Sequence, residues 1–422
     1  MRESLSASLH FPSGMLIPVL PRKEWYMPGI AALCVAYLMS QFYRSFLAVL
    51  SPVLATELGM TTEQLGMASG AWFATFALAQ FPIGYSLDTF GPRRTAGVLH
   101  GLAAGGGAAV FAMASTPGDI ILAMALIGIG CAPVLMAAFF LFARNFSAGG
   151  FATLGSTFIA VGTLGNIFGS SPLAWAINQY GWHVVAWFLC VFTTMVAMAV
   201  LLFVRDPEKI GDGEAGSNGS YLALMKIPQL WRIFPLILLG YGVAAGVRGL
   251  WAGPILRDVY GYDVAAIGNV TFFMAVALSI GSLAYGPMDR LLNSRKKVAM
   301  AGNLVVLACS AWLATGLPAS VTMTSILFVL IGFFGTSYAV LTAHGKAFVP
   351  LEMTGRGVTL MNFFAIGGVG LLQWLGGYVV TRQTVTGDPQ AGYQALFMLY
   401  ATTLALALLI YAFARDSRPS DG

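Results

Sequence analysis

Long apolar runs are the feature of this sequence that most restricts its fold. A run of about 18 or more apolar residues with few charges is long enough to cross a bilayer as a helix. Charged residues make up only 9% of the chain, whereas about 25% is usual in soluble proteins. Twelve spanning helices are predicted, over residues 28–54, 65–87, 94–115, 119–143, 152–177, 182–204, 232–257, 265–288, 297–316, 321–346, 356–381 and 392–414.

One long hydrophilic segment, RDPEKIGDGEAGSNGSYLALMKIPQLWR, interrupts these runs near the middle of the chain. Lys and Arg collect in the cytoplasmic loops of membrane proteins. If the N-terminus is cytoplasmic, 18 of the 22 basic residues fall on that side. We therefore expect a multi-pass protein of the plasma membrane (the inner membrane in a Gram-negative bacterium) with both termini cytoplasmic. The predicted parts are a cytoplasmic tail (1–27), an N-terminal six-helix half (28–204), a cytoplasmic central loop (205–231), a C-terminal six-helix half (232–414) and a cytoplasmic tail (415–422).

An internal repeat relates the two halves. The stretch from Tyr37 to Gly66 is echoed by the stretch from Tyr241 to Gly268. Pro52, Leu54, Gly59 and Gly66 recur 202 residues later as Pro254, Leu256, Gly261 and Gly268. Parallel repeats related by an axis along the membrane normal are a recurring plan of transporters, with the substrate site between the halves. The sequence thus predicts an all-α integral membrane protein with two pseudo-symmetric six-helix halves.

Each copy of the repeat carries an arginine inside an apolar run. Arg44 and Arg248 each follow a Tyr by seven residues, although they differ by two from the register of the prolines. A charge at mid-membrane costs roughly 2.5–3.5 kcal/mol on insertion scales, and Arg keeps its proton in proteins. Acidic residues occur in the predicted spans only near their ends, at Glu57, Asp88, Asp119, Asp258 and Asp289.

The two arginines therefore lack an acidic partner at mid-membrane. An anionic substrate shared between Arg44 and Arg248 is the interpretation that we favour, because a guanidinium fork suits carboxylate or phosphate oxygens. The alternative is that each arginine reaches the interface or donates to backbone carbonyls for a structural purpose. The two-residue displacement of Arg248 predicts an asymmetric site.

Further candidates for the substrate site share a helix face with an arginine or lie at the same depth. The former are Tyr37, Gln41 and Tyr241, and the latter are Trp72, Asn166, Tyr338, Asn362 and Gln373. For each of them, packing or hydrogen bonding between helices is the alternative. His344 is a candidate proton carrier, since an ordinary histidine titrates near physiological pH. It is equally a candidate for a hydrogen-bonded residue at a helix end.

The loop after predicted helix 2 reads GYSLDTFGPRRT and resembles the loop pattern of the major facilitator superfamily. A degraded copy, YGPMDRLLNSRKK, follows predicted helix 8. An acid at a helix end beside basic residues can form a charge cluster that holds one conformation and opens in another. The residues predicted to form this conformational latch are Gly84, Asp88, Arg93, Arg94, Asp289 and Arg290.

With the Tyr-x6-Arg of predicted helix 1 and the arginine of predicted helix 7, the chain resembles the organophosphate:phosphate antiporters and related organic anion transporters of that superfamily. The resemblance implies that Arg44 and Arg248 bind the anionic group of the substrate. Gln80, a further candidate for the substrate site, stands where the phosphate antiporters have a lysine, and predicted helix 5 offers Asn166 and Ser170 instead of their histidine. These departures favour a carboxylate over a phosphate ester.

The predicted function is secondary transport of a small organic anion by alternating access, and not enzymatic catalysis. Without an acid at mid-membrane we expect exchange against a counter-anion, or symport with the proton carried on the substrate or on His344. Alternatives are a multidrug or metabolite exporter of the same fold, a nitrate porter, and an anion-sensing receptor that does not transport. Neither a cofactor, a metal nor a nucleic acid is expected as a partner, and the protein should be a monomer in the bilayer. The sequence has no phosphate-binding GxxxxGK[ST] motif, which argues against an ATP-driven pump.

Overall fold

The structure is a computed structural model that describes residues 27–146, 148–207, 221–350, 353–384 and 388–417. The predicted cytoplasmic tails thus lie largely outside the described residues, as do residues 208–220 of the predicted central loop. The helices are α1 (Met27–Tyr43), α2 (Phe46–Glu57), α3 (Thr62–Leu99), α4 (Gly106–Ala112), α5 (Pro117–Cys131), α6 (Pro133–Asn145), α7 (Ala148–Phe168), α8 (Ser171–Tyr180), α9 (Trp182–Phe203), α10 (Tyr221–Met225), α11 (Pro228–Gly246), α12 (Ala252–Tyr260), α13 (Val264–Leu291), α14 (Arg295–Thr315), α15 (Val321–Phe334), α16 (Tyr338–Lys346), α17 (Thr354–Thr384) and α18 (Pro389–Ala412), with π-helical segments at His100–Gly105 and Val247–Trp251.

The predicted all-α membrane fold is confirmed in the described part of the chain. By length and apolarity alone, nine helical segments there are able to span a membrane, or ten if α1 and α2 count as one span bent by 47°. The longest segment, Thr62–Ala112, contains a break at Gly91, whose φ of 83° is not helical. α7 and α8 are separated by the non-helical Gly169 and Ser170. These breaks explain why the apolar criterion counts fewer segments than the twelve runs read from the sequence.

Helix ends differ from the predicted bounds where capping residues extend a helix beyond its apolar run. α3 begins at Thr62 because Thr61 forms a capping box with Gln64. α11 begins at Pro228, four residues before the predicted start, because proline fits the first turn of a helix. The short α10 lies within the range predicted as central loop. Apolarity marks the bilayer crossing, and it does not detect turns that continue past the bilayer.

We call α1–α9 the N-terminal half and α11–α18 the C-terminal half. Among their contacts, α3 runs along α17, and α2 packs on α12, on α13 and on the π-helical segment Val247–Trp251. Hydrogen bonds between the halves include Thr62 to Thr381 at 2.9 Å and Ser171 to Asn269 at 3.0 Å. Both bonds lie at the predicted extracellular end of the bundle. The two halves therefore meet closely at that end.

Candidate functional site

Arg44 lies where the first apolar run stops being a continuous helix. Arg44 and Ser45 separate α1 from α2, and the two helices meet at an angle of 47°. Ser45 closes the break by donating its backbone N–H to the Phe42 carbonyl at 3.0 Å. The break lets the Arg44 side chain leave the helix path in the middle of the span.

Two aromatic rings of α3 hold the Arg44 guanidinium by their faces. Its carbon Cζ lies 5.3 Å from the ring centre of Trp72 and 4.9 Å from that of Phe76. The two rings stack on each other, with centres 5.1 Å apart and planes 19° apart. A cation over an aromatic face is stabilised by about 0.5–2 kcal/mol, depending on desolvation. Phe76 was not among the predicted site residues, although it follows Trp72 by one helical turn.

Arg248 is held differently, by a hydrogen bond at the edge of its guanidinium. It belongs to the π-helical segment Val247–Trp251 and is only 3% exposed. Its Nη2 donates to the side-chain oxygen of Asn166 at 2.8 Å, and Asn166 is 2% exposed. Asn166 is on α7, so this bond joins the C-terminal half to the N-terminal half. A π-helical turn inside a helix is often found at a functional site.

Gly249 allows the two arginine segments to meet. A Cβ atom at this glycine would lie 2.8 Å from the Arg44 carbonyl oxygen, closer than real Cβ atoms approach a backbone atom. In the same way, Gly165 of α7 packs against the Leu38 carbonyl of α1. Small residues let helix backbones approach closely in a membrane. Glycines on two helices thus bring Arg44, Arg248 and Asn166 together.

Three predicted tyrosines lie beside the arginines. Tyr37, Tyr241 and Tyr338 are close enough to one another for electrostatic interaction, and Tyr37 and Tyr338 interact in this way with Arg44 and Tyr241 with Arg248. The Gln41 amide donates to the Tyr37 hydroxyl at 2.8 Å, and the Tyr338 hydroxyl donates to the Asn362 oxygen at 3.1 Å. Tyr37 comes from the N-terminal half, and Tyr241 and Tyr338 from the C-terminal half. The predicted residues of this group therefore converge from both halves.

Within the described residues, neither arginine forms an ion pair with a carboxylate. Arg44 and Arg248 themselves are near enough to repel each other electrostatically. Two of the acids at the span ends have other partners. Glu57 accepts a hydrogen bond from the Trp182 indole at 2.7 Å, and Asp258 pairs with Arg257 at 2.5 Å. Arg44 Nε and Arg248 Nε are buried without a hydrogen-bond partner among the described residues. The arrangement is a pair of cations between two halves, which is suited to binding an anion.

Three other predicted residues have partners outside this cluster. Gln80 donates to the carbonyls of Phe76 and Ala132, both at 3.4 Å, and so links α3 to the start of α6. The Gln373 amide donates to the Gly246 carbonyl at 3.3 Å within the C-terminal half, two residues before Arg248. His344 lies at the end of α16, where its ring nitrogens bond to the Tyr411 hydroxyl at 2.6 Å and the Arg415 carbonyl at 2.8 Å. The structure does not bring His344 to the arginines.

The predicted latch has a partner that sequence reasoning missed. Asp88 is exposed and makes no hydrogen bond or ion pair with a described residue. The Arg93 backbone N–H instead donates to the Asp206 carboxylate at 2.8 Å. Gly91 allows this contact, because a Cβ there would lie 2.5 Å from that carboxylate.

The sequence signal that could have identified Asp206 was the acid of RDPEK, directly after predicted helix 6. Of the other predicted latch residues, Arg94 is exposed and a Cβ at Gly84 would meet open space, while the side chains of Asp289 and Arg290 lie outside the described part of the structure.

A sequence profile described as Major Facilitator Superfamily matches residues 33–263, which is more than half of the chain. The chain belongs to the Major Facilitator Superfamily. The matched range contains both arginine segments and the loop after the first part of α3. The resemblance read from the loop pattern and the repeat is therefore confirmed at the level of the superfamily.

Curated relatives of this superfamily member align along most of its length. A galacturonate transporter of Dickeya chrysanthemi is 22% identical, with 78% of this chain and 96% of that protein covered. A hexuronate transporter of Escherichia coli K12 is also 22% identical, covering 94% of this chain and 95% of its own. A fosmidomycin resistance protein of the same organism is 23% identical, with 81% of this chain and 84% of that protein covered.

Solved structures share the fold of this superfamily member. A D-xylose–proton symporter superposes with a TM-score of 0.73 at 14% sequence identity, covering 92% of this chain and 98% of that one. At this identity the likeness concerns the fold alone. The chain is thus a multi-pass membrane protein with the two-half architecture expected from its repeat.

Proposed function

We propose that the protein is a secondary active transporter of a small organic anion, which binds between Arg44 and Arg248. One observation carries the proposal. Two arginines from opposite halves converge at mid-membrane, and neither is paired with a carboxylate of the described residues. Intramembrane charges face a partner or an aqueous cavity, and two unpaired guanidinium groups favour an anion as that partner. The names of the galacturonate and hexuronate transporters, whose sequences align along most of the chain, support an organic acid.

A carboxylate fits this arrangement better than a phosphate ester. The phosphate antiporters that the chain resembles add a lysine and a histidine to their two arginines. In this chain Gln80 stands in place of the lysine, and Asn166 and Ser170 are the polar residues available in place of the histidine. Gln80 bonds to backbone carbonyls, and it adds no charge to the arginine pair. Two guanidinium forks supply enough donors for one carboxylate and its neighbouring hydroxyl.

Transport by this proposal follows alternating access. The two halves rock around the bound anion, so that contacts between them at one end of the bundle open as those at the other end close. We keep exchange against a counter-anion, or symport with a proton on the substrate or on His344, as the predicted coupling. A monomer in the plasma membrane with both termini cytoplasmic is the corresponding assembly.

The test uses D-galacturonate and its uncharged analogue D-galactose as probes in proteoliposomes. We expect uptake of galacturonate but not of galactose. R44Q and R248Q should each reduce uptake by about 100-fold or more, because each removes charge-assisted hydrogen bonds of about 1.5–3 kcal/mol apiece. Circular dichroism and size-exclusion profiles check that the variants fold. Uptake at the wild-type level by folded R44Q would contradict the assignment of Arg44.

Export is the second candidate, because the fosmidomycin resistance protein is also among the relatives. The two candidates differ in the direction of net movement in cells. An importer would raise intracellular galacturonate when the gene is expressed, whereas an exporter would lower intracellular fosmidomycin and protect the cell. A receptor that senses the anion without moving it would bind galacturonate and show no flux.

A further inference from the structure

Asn166 links the two halves of the protein at the depth of the arginines. Its side-chain oxygen, on α7, accepts a hydrogen bond of 2.8 Å from Nη2 of Arg248 in the C-terminal half. Both side chains are almost fully buried, at 2% and 3% exposure. The bonds from Thr62 to Thr381 and from Ser171 to Asn269 join the halves at the predicted extracellular end instead. The Asn166 bond is thus placed where the proposed anion would bind.

The amide of Asn166 satisfies Arg248 without neutralising it. A hydrogen bond to a charged group contributes about 1.5–3 kcal/mol, and an ionised acceptor makes a stronger bond than a neutral one. A carboxylate oxygen at the same N–H group would therefore replace the amide oxygen at a gain in free energy. The Arg248 Nε atom is also buried without a hydrogen-bond partner among the described residues. Arg248 is held in place and remains ready for an anion.

Asn166 is fixed to the N-terminal half by the glycines beside it. Gly165 packs against the Leu38 carbonyl, and Gly162 leaves room for the Tyr37 ring. Asn166 therefore cannot follow Arg248 when the halves move apart. Its bond to Arg248 forms only in the arrangement in which α7 and the π-helical segment Val247–Trp251 lie together.

We propose that Asn166 is a positioning residue that holds Arg248 in the empty site by occupying the N–H group that an oxygen of the substrate's anionic group takes when the site is loaded. This inference rests on the proposed function, because it names the group that the anion displaces. On binding, the direct link from α7 to Arg248 is exchanged for a link from Arg248 through the anion to Arg44. Asn166 thereby stabilises the empty protein in one arrangement of its halves.

Two variants of Asn166 separate this role from simple packing. N166D keeps the shape of the side chain and adds a charge, so that Arg248 is paired permanently. N166L keeps similar bulk and removes the hydrogen bond. We expect N166D to bind D-galacturonate about 50-fold more weakly than the wild type, because Arg248 is no longer available to the ligand. N166L should bind within about threefold of the wild type, since Arg248 loses a competitor as well as a support. Thermal shift against a galacturonate concentration series measures both affinities.

A second measurement needs no ligand. T62C and T381C together place two thiols where the threonine hydroxyls lie 2.9 Å apart at the extracellular end. In the empty protein, the extent of cross-linking should be at least that of the wild-type background in N166D, and about threefold lower in N166L, because the link between the halves is strengthened in one and lost in the other. Mass spectrometry of the linked peptides gives the extent.

Wild-type affinity in N166D, or an equal loss of affinity in both variants, would overturn the inference and indicate packing alone. If the wild type itself shows no response to galacturonate, the proposed substrate is refuted, and cross-linking alone decides the role of Asn166. Equal cross-linking in all three proteins would then overturn it. If N166D does not fold, cross-linking of N166L decides: an extent about threefold below that of the wild-type background supports the inference, and an equal extent overturns it.

Discussion

Arg44 and Arg248 hold corresponding places in the repeat, yet the protein surrounds them differently. Arg44 lies at a break between two helices, with its guanidinium over the ring faces of Trp72 and Phe76. Arg248 lies in an unbroken path with a π-helical turn, and one of its N–H groups is bonded to Asn166. Among the described residues Arg44 Nε has no hydrogen-bond partner, whereas Arg248 donates from Nη2 to Asn166. If the proposed anion binds between them, Arg248 must give up its bond to Asn166, whereas Arg44 has no such bond to a described residue.

The two-residue displacement in the repeat falls where the backbones differ. Eight residues separate Arg44 from Pro52, and six separate Arg248 from Pro254. In the N-terminal half, Arg44 and Ser45 interrupt the helix, while in the C-terminal half the chain passes through Val247–Trp251 without leaving the helix. The displacement is thus a difference in how each half turns its arginine toward the other half. It supports the predicted asymmetry of the site.

Lysine substitution at each arginine tests this comparison most strongly. An ammonium group still binds aromatic faces, so R44K should keep its place and lose about tenfold in galacturonate affinity. A compact ammonium lacks the planar fork that Arg248 presents to Asn166 in the empty site and to the anion after the exchange, so R248K should lose about 100-fold. Thermal-shift titration of both variants gives the ratio. Equal losses would mean that the two surroundings do not matter to binding.

The contact between the two arginine segments provides the next test. A methyl group at Gly249 would meet the Arg44 carbonyl at 2.8 Å, so G249A should push the segments apart and reduce uptake by about tenfold. The matched control is G286A, because a Cβ at Gly286 has no atom within 4 Å. Uptake of galacturonate is measured for both. If G249A transports like G286A, close approach of the segments is not required.

Much of this architecture is readable from the sequence because a bilayer imposes strict rules. Long apolar runs must be helices, since the membrane offers no other hydrogen-bond partners to the backbone. Basic residues in the loops of membrane proteins collect on the cytoplasmic side, so an arginine inside an apolar run stands out. For these reasons the fold, the repeat and the convergence of Arg44 with Arg248 could be foreseen from spacing alone.

Local backbone irregularities were not foreseen, because apolar periodicity contains no information about them. Nothing in the run around Arg44 marks a break of the helix there, and no sequence signal marks the π-helical turn at Arg248. The hydrogen-bond partners of individual side chains could not be predicted from the sequence either. Asn166 was one polar residue at depth among several, and its bond to Arg248 depends on how two distant helices pack. Gln80 and Gln373, read by the same rule, bond to backbone carbonyls instead.

The smallest expected effect comes from the aromatic faces beneath Arg44. W72L removes one face of the pair and should weaken galacturonate binding by about fivefold, which corresponds to about 1 kcal/mol of cation–π stabilisation. W72F retains a face and should recover most of that loss, whereas no such recovery is expected if Trp72 only fills space, because Phe leaves more of the volume empty than it restores. Combining W72L with R248K should give a loss that differs from the sum of the two single losses, since Trp72 contacts Arg44 and both arginines hold the same proposed anion. Thermal-shift titration of the single and combined variants measures this. A larger loss for W72L than for R248K would reverse the ranking and make the aromatic faces, rather than the edge bond to Asn166, the stronger determinant of how this site holds its charge.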